Sequence, residues 1–141
     1  MADERDDETL AEAFWGVARQ LRGLSRRTLE PWEVTPSHAR VLSVLARHGV
    51  MRLSELSEHL RIAPRSTTEV VDALDERGLI ERRPDPSDRR ATLVELTDDG
   101  KDINAAIRAS RATEADAFFG TLSDTDYYNL TRILRKLRRL A

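Results

Sequence analysis

The chain has 141 residues, a length typical of one domain, and 40% of them are hydrophobic while 34% are charged. It contains no cysteine, which excludes disulfides, thiolate metal ligands and cysteine-based redox sensing. The formal net charge is −2, but six acidic residues lie among residues 1–12 beside a single base, so the rest of the chain is weakly basic and a nucleic-acid partner is not excluded.

The first predicted helix covers residues 8–29, where apolar side chains recur at alternating steps of four and three residues. Pro31 ends it, because a proline disfavours helical backbone in the residue before it, and a short linker follows. A second helix is expected to begin at Pro36, which suits a first helical position since it has no N–H group, with Thr35 as its cap. Gly49 is expected to stop this helix.

Two short helices follow, predicted over residues 54–60 and 64–77, and the tight turn between them gives a helix-turn-helix pattern. Residues 79–83 and 91–96 have the composition of strands, and the polar, proline-containing segment between them is predicted as a loop. A hairpin with a basic tip directly after a helix-turn-helix is a wing. The pattern therefore predicts a winged helix over about residues 35–97.

Long helices are predicted at both ends of the chain, over about residues 8–30 and 98–141, the latter broken at Gly120. The predicted fold is one domain, mainly α-helical with a small β-hairpin wing. Apolar faces on the terminal helices favour a homodimer, although packing within one subunit is the alternative for each residue. The candidate dimer residues are Leu10, Leu21, Leu130, Ile133, Leu134 and Leu137.

Three motifs give this chain a family resemblance: RGLIER at residues 77–82, PDPSDRR at residues 84–90 and a Leu-Thr-x-x-Gly motif at residues 96–100. With this spacing the sequence resembles the MarR family of winged-helix transcriptional regulators. The resemblance implies a homodimer with interlocked terminal helices above two lobes. It also implies a sequence-specific regulator of double-stranded DNA, expected to repress from a pseudo-palindromic operator.

The helix that starts at Pro64 is predicted to enter the major groove, because side chains near the start of a recognition helix reach base edges. The predicted DNA-contacting residues are Arg65, Ser66, Thr67, Thr68 and Glu69 in this helix and Arg82, Arg89 and Arg90 in the wing. By resemblance, Arg90 enters the narrow minor groove, and Asp88 is expected to orient the arginines through an ion pair. The alternatives are a helix-start role for the hydroxyls and a solvated hairpin edge for the arginines.

Two positions depart from the family pattern. Glu69 is an acid where relatives often carry a base, and Ala63 lacks a capping side chain, which should weaken the helix start by ~1 kcal/mol.

Regulators that resemble this chain often bind a small aromatic or anionic molecule between the dimer helices and the lobes, and the molecule releases DNA. The candidate ligand-binding residues are Trp15, Arg19, Trp32, His38 and Arg47, each of which also has an ordinary structural explanation.

An enzyme is not predicted, because the sequence offers no nucleophile paired with a base and no phosphate-binding loop. Three histidines without cysteine give no metal-ligand constellation, so neither a metal nor a cofactor is predicted. The alternative from another class is a winged helix that binds a protein partner without specific DNA binding, using the acidic residues Glu69, Asp72, Asp75 and Glu76. Steep weakening by salt distinguishes DNA binding from this alternative.

No apolar run approaches the ~18 residues that a membrane-spanning helix needs, so no membrane partner is expected. The acidic first residues lack the basic and apolar regions of a signal peptide. We therefore expect the protein to be cytoplasmic.

Overall fold

Residues 7–140, the part of the chain that the computed structural model describes, form six α-helices, one 3₁₀ turn and three strands. The helices are α1 Leu10–Leu29, α2 Pro36–His48, α3 Leu53–Leu60, α4 Pro64–Glu76, α5 Asp98–Phe119 and α6 Asp124–Leu140, with the 3₁₀ turn at Glu30–Trp32. The strands are β1 Met51–Arg52, β2 Ile80–Asp85 and β3 Asp88–Leu96. The predicted class, mainly α with a small β wing, is confirmed.

Helix α1 starts at a capping box. The Glu12 N–H donates to Thr9 Oγ1 at 3.2 Å, and the Thr9 N–H donates to Glu12 Oε2 at 2.8 Å, which satisfies two backbone donors at the helix start. Because the cap is Thr9, the helix begins two residues later than the sequence pattern predicted. The helix ends at Leu29 as predicted, but the stated reason is wrong, because Glu30, the residue before Pro31, keeps a helical φ of −53° and ψ of −44° and both residues lie in the 3₁₀ turn.

The linker after α1 is fastened to the end of α4 by Arg77. One Nη donates to the Glu33 carbonyl at 2.9 Å and the other donates to the Trp32 carbonyl at 2.8 Å. Glu33 has a φ of 52°, a left-handed conformation that side chains disfavour. The two bonds hold this unusual backbone against the helix-turn-helix.

The main core lies between α2, α3, α4 and the sheet. Leu42, Leu56, Val71, Leu74 and Val94 are all fully buried there, each at 0% exposure. A smaller cluster joins α1, α2 and α5 through Leu29, Val34, Ala39 and Ile107, with Trp32 packed against it. The larger cluster makes the helix-turn-helix and wing one rigid lobe.

The sheet has the strand order β1-β3-β2, and both pairings are antiparallel. The predicted loop over residues 84–90 is wrong, because β2 extends to Asp85 and β3 begins at Asp88, which leaves a two-residue turn. Pro84 is tolerated since β2 is an edge strand. The sequence analysis also missed β1, because its two residues are too few to show an alternating pattern.

The Leu-Thr-x-x-Gly motif joins the wing to α5. Thr97 Oγ1 donates to the Gly78 carbonyl at 2.6 Å and accepts the Gly100 N–H at 3.1 Å, while the Thr97 N–H donates to the Leu79 carbonyl at 3.1 Å. A Cβ on Gly100 would lie 2.1 Å from the Leu79 carbonyl oxygen. Glycine is therefore required here by close backbone contact, and its φ is not in the left-handed region.

Apolar side chains remain exposed on the terminal helices. Leu29 is the one buried residue of α1, and no residue of α6 is buried among those described. Of the predicted dimer residues, Leu10, Ile133 and Leu137 are 89%, 44% and 56% exposed, whereas Leu21, Leu130 and Leu134 are half-buried. Among residues 7–140 no helix is both long enough and apolar enough to cross a membrane.

Candidate nucleic-acid interface

Helix α4 presents a short polar surface at its start. Arg65, Ser66 and Glu69 are exposed, and Arg65 Nε lies 3.9 Å from Glu69 Oε1. Both side chains of this pair are largely in solvent, so the contact leaves each of them free to move. The half-buried Thr68 donates its hydroxyl to the Pro64 carbonyl at 3.0 Å. As predicted, Ala63 makes no side-chain capping bond.

Thr67 does not face the solvent, so its predicted contact with DNA is wrong. The residue is 0% exposed, and its Oγ1 lies 2.9 Å from Ser57 Oγ and 3.3 Å from the Ala63 carbonyl. It shares the inward face of α4 with Val71 and Leu74, at spacings of four and seven residues. That spacing was visible in the sequence and assigns Thr67 to the core.

We expect Thr67→Val to lower the free energy of unfolding by about 1 kcal/mol, because valine keeps the shape and removes a buried hydroxyl bond. Urea unfolding measures this change. DNA affinity of the folded variant, measured by fluorescence anisotropy, should stay within about twofold of wild type, since the side chain is buried. A tenfold loss of affinity at full stability would show that Thr67 does reach DNA.

The wing carries two exposed arginines, Arg89 and Arg90. Among the described residues, neither forms an ion pair with a carboxylate. Asp88 was expected to orient them through an ion pair, and this prediction is wrong. Its Oδ1 instead accepts the backbone N–H of Arg90 at 3.0 Å, which shapes the start of β3 and leaves both guanidinium groups free.

Arg82 was predicted to contact DNA, but its guanidinium is bound within the lobe. It donates to Asp72 at 2.5 Å and to Asp75 at 2.9 and 3.0 Å, so it ties β2 to the side of α4. The bond to Asp75 raises the pKa of Arg82, with Asp72 adding to the effect. Arg83 pairs with Glu95 across the β2–β3 ladder. Both arginines have structural partners that the sequence pattern did not reveal.

The sequence analysis missed a buried carboxylate at the end of β2. Asp85 Oδ1 accepts the Ser87 N–H at 2.9 Å and the Ser87 hydroxyl at 2.7 Å, and Oδ2 accepts Arg52 Nε at 2.8 Å. The bonds from Ser87, followed by the one from Arg52, hold the pKa of Asp85 below its ordinary value. The carboxylate therefore stays ionised and fixes the wing turn against β1. An aspartate two residues before a serine is a turn pattern that could have predicted the bonds between Asp85 and Ser87.

The ligand candidates are distributed over three elements, α1, the 3₁₀ turn and α2. Trp15, Arg19 and Arg47 are exposed, while Trp32 and His38 are half-buried near Arg77. Burial and then the Arg77 charge lower the pKa of His38, so this imidazole is neutral at pH 7. A separate cleft of about 190 Å³ lies between α1 and α5. Its lining residues are Leu21, Leu24, Ser25, Thr28, Arg111, Glu114 and Ala115.

Comparisons with known proteins agree with this architecture. The model of a family described as MarR matches residues 34–92. The transcriptional repressor MdtR of Bacillus subtilis is 29% identical over 114 residues, which cover 81% of this chain and 74% of that protein. The HTH-type transcriptional regulator ML2140 of Mycobacterium leprae is 34% identical over 110 residues, which cover 78% of this chain and 74% of that protein.

Among solved structures, a MarR family protein from Bacillus stearothermophilus is 25% identical and superposes with a TM-score of 0.83, covering 99% of this chain and 97% of that one. The match to ML2140 exceeds 30% identity, and the superposition spans the terminal helices as well as the lobe. The chain therefore belongs to the MarR family and is a DNA-binding transcriptional regulator.

Proposed function

We propose that the protein acts in the cytoplasm as a homodimeric repressor, which binds a pseudo-palindromic operator through two winged-helix lobes and is released by a small ligand. The main support for the DNA contact is that the arginines of the sheet differ in whether they have a carboxylate partner. Arg82 and Arg83 are each ion-paired within the lobe, whereas Arg89 and Arg90 have no carboxylate partner among the described residues. Unpaired guanidinium groups on a wing suit phosphates and the minor groove.

The exposed apolar faces of α1 and α6 support the dimer. One lobe offers few contacts, and binding through phosphates alone is weak at physiological salt. Two lobes related by a two-fold axis place the two recognition helices about 34–36 Å apart, one turn of DNA, so they read two half-sites at once. In this proposal α4 contacts bases with Arg65, Ser66, Thr68 and Glu69 in the major groove.

The ligand is proposed to be a small aromatic or anionic molecule. One cation, Arg111, and one acid, Glu114, line the cleft between α1 and α5, and Arg111 Nε is buried and has no hydrogen-bond partner among the described residues. An unpaired buried N–H of a guanidinium favours a ligand that offers a hydrogen-bond acceptor, and an anionic acceptor adds charge assistance to that bond. A ligand at this position would change the angle between the helices proposed for the dimer and the lobe.

Protein binding through the acidic residues of α4 has less support. Asp72 and Asp75 bind Arg82, and Glu69 lies beside Arg65, so three of the four acids already face a base. No observation on the described residues favours this second function.

Fluorescence anisotropy with DNA from the region upstream of the gene, at several salt concentrations, tests the DNA contact. Arg89→Ala/Arg90→Ala should weaken binding about 100-fold, because it removes two arginines from each wing and a hydrogen bond to a charged group is worth ~1.5–3 kcal/mol. Arg82→Ala/Arg83→Ala is the matched control, since it removes the same charge from the same hairpin but at ion-paired positions. Equal weakening by both double variants would show that only total charge matters. Wild-type binding no tighter than to random DNA would overturn the proposed function.

A further inference from the structure

A cleft of about 320 Å³ lies between the wing and the start of α3. Its lining residues are Arg52, Leu53, Ser54, Asp88, Arg90, Ala91 and Thr92. Two guanidinium groups and two hydroxyls therefore line one depression on the hairpin that also carries the unpaired wing arginines. One acid lines it too, Asp88, and its Oδ1 is occupied by the Arg90 N–H.

Arg52 is held in place rather than mobile. Its Nε donates to the buried Asp85 at 2.8 Å, and one Nη lies 3.5 Å from Ser87 Oγ, while 40% of its side chain remains exposed. A guanidinium has five N–H donors, so donors remain for a ligand after these contacts. Asp85 fixes the orientation of the group in advance, which lowers the entropic cost of binding an anion.

The backbone adds donors to the same cleft. Arg52 is the N-cap of α3 and makes no side-chain capping bond, so the first N–H groups of this helix lack a side-chain acceptor. The helix start also carries partial positive charge. Glu55 in the first turn is the one acid of this helix start, and it is exposed to solvent.

We propose that this cleft binds one phosphate of the DNA backbone, next to the groove contact of Arg90. The proposal rests on the proposed function, since it requires the wing to lie on a duplex. Forked guanidinium donors together with backbone N–H groups match the oxygens of a phosphodiester and carry no base preference. Arg52 is thus a DNA-binding residue, and Asp85 is the residue that positions it.

The first test places a carboxylate in the cleft without disturbing the fold. Ser54 and Ser37 are both exposed second residues of helices, in α3 and α2, and an acid in a first turn favours either helix. We expect Ser54→Asp to weaken DNA binding about tenfold, because it disrupts charge-assisted bonds to the phosphate, and Ser37→Asp to leave it within about twofold of wild type. Equal affinities of the two variants, with unchanged urea midpoints, would overturn the proposal.

The second test measures the phosphate contact through salt. Arg52→Gln should reduce the slope of log K against log salt by about 0.9 for each phosphate that the variant no longer neutralises, whereas Arg108→Gln, an exposed charge change on α5, should leave the slope unchanged. Equal slopes for the two variants would also overturn the proposed phosphate site.

If wild type binds its DNA tightly while Ser54→Asp has no effect, the phosphate site fails and the repressor function stands. If wild type shows no selective binding, the function itself fails.

Discussion

Replacing Ile133 and Leu137 of α6 with glutamate should make the protein monomeric and weaken its binding to operator DNA by about 100-fold or more, because the two lobes no longer bind as a unit. The two side chains are four residues apart on one helix face and are 44% and 56% exposed in the subunit. A second copy of the chain is the partner we propose for this face. Burying two carboxylates there would cost far more than the dimer gains.

Arg132→Gln/Arg139→Gln is the matched control, since it makes the chain more negative by the same two charges. These arginines line another face of α6 together with Tyr128, and we expect this variant to remain dimeric. Sedimentation velocity gives the oligomeric state, and anisotropy gives the affinity for DNA. The main core includes no residue of α6 among those described, so circular dichroism should show a folded lobe in both variants. A dimeric Ile133→Glu/Leu137→Glu protein would place the interface elsewhere.

Gly100→Ala should lower the free energy of unfolding by about 3 kcal/mol, a large share of the ~5–15 kcal/mol of a typical domain. The added Cβ would lie 2.1 Å from the Leu79 carbonyl oxygen. The oxygen is a backbone atom and the Cβ is bonded directly to the backbone of α5, so neither can move aside cheaply. Relief requires α5 to shift away from the wing. That shift would break the bonds of Thr97 to Gly78 and Leu79 as well.

Gly23→Ala in α1 is the control for this change. A Cβ at that position meets nothing within 4 Å in the subunit, so alanine should stabilise the helix by roughly 0.5–1 kcal/mol. Urea unfolding of both variants measures the difference. If Gly100→Ala unfolds at the wild-type midpoint, the contact between α5 and the wing is not tight in solution.

The sequence predicted the elements with strong local signals. Thr35 and Pro36 mark the start of α2, Gly49 marks its end, and the Leu-Thr-x-x-Gly motif locates the start of α5. Each is a capping or stop signal whose physics acts within a few residues. The helix-turn-helix and the wing were also identified from local signals, namely the tight turn between two short helices and the polar segment between two strands.

The roles of individual site residues were harder to predict, because they depend on partners far away in the chain. Arg52 and Asp85 are 33 residues apart, and no local pattern indicates that they pair. Arg82 looked like a DNA contact until the fold placed it beside Asp72 and Asp75. Thr67 was the exception, since its inward position follows from helical spacing alone.

The attachment of Arg77 to the linker links two parts of the molecule that are otherwise separate in function. The recognition helix ends next to Arg77, and α1, which we propose for the dimer, leads into the two carbonyls that this guanidinium holds. A tilt of α1 would therefore reach the recognition helix through this guanidinium as well as through the buried cluster of Leu29, Val34, Ala39 and Ile107. In the proposed dimer, the spacing of the two recognition helices would then depend in part on how firmly Arg77 holds the linker.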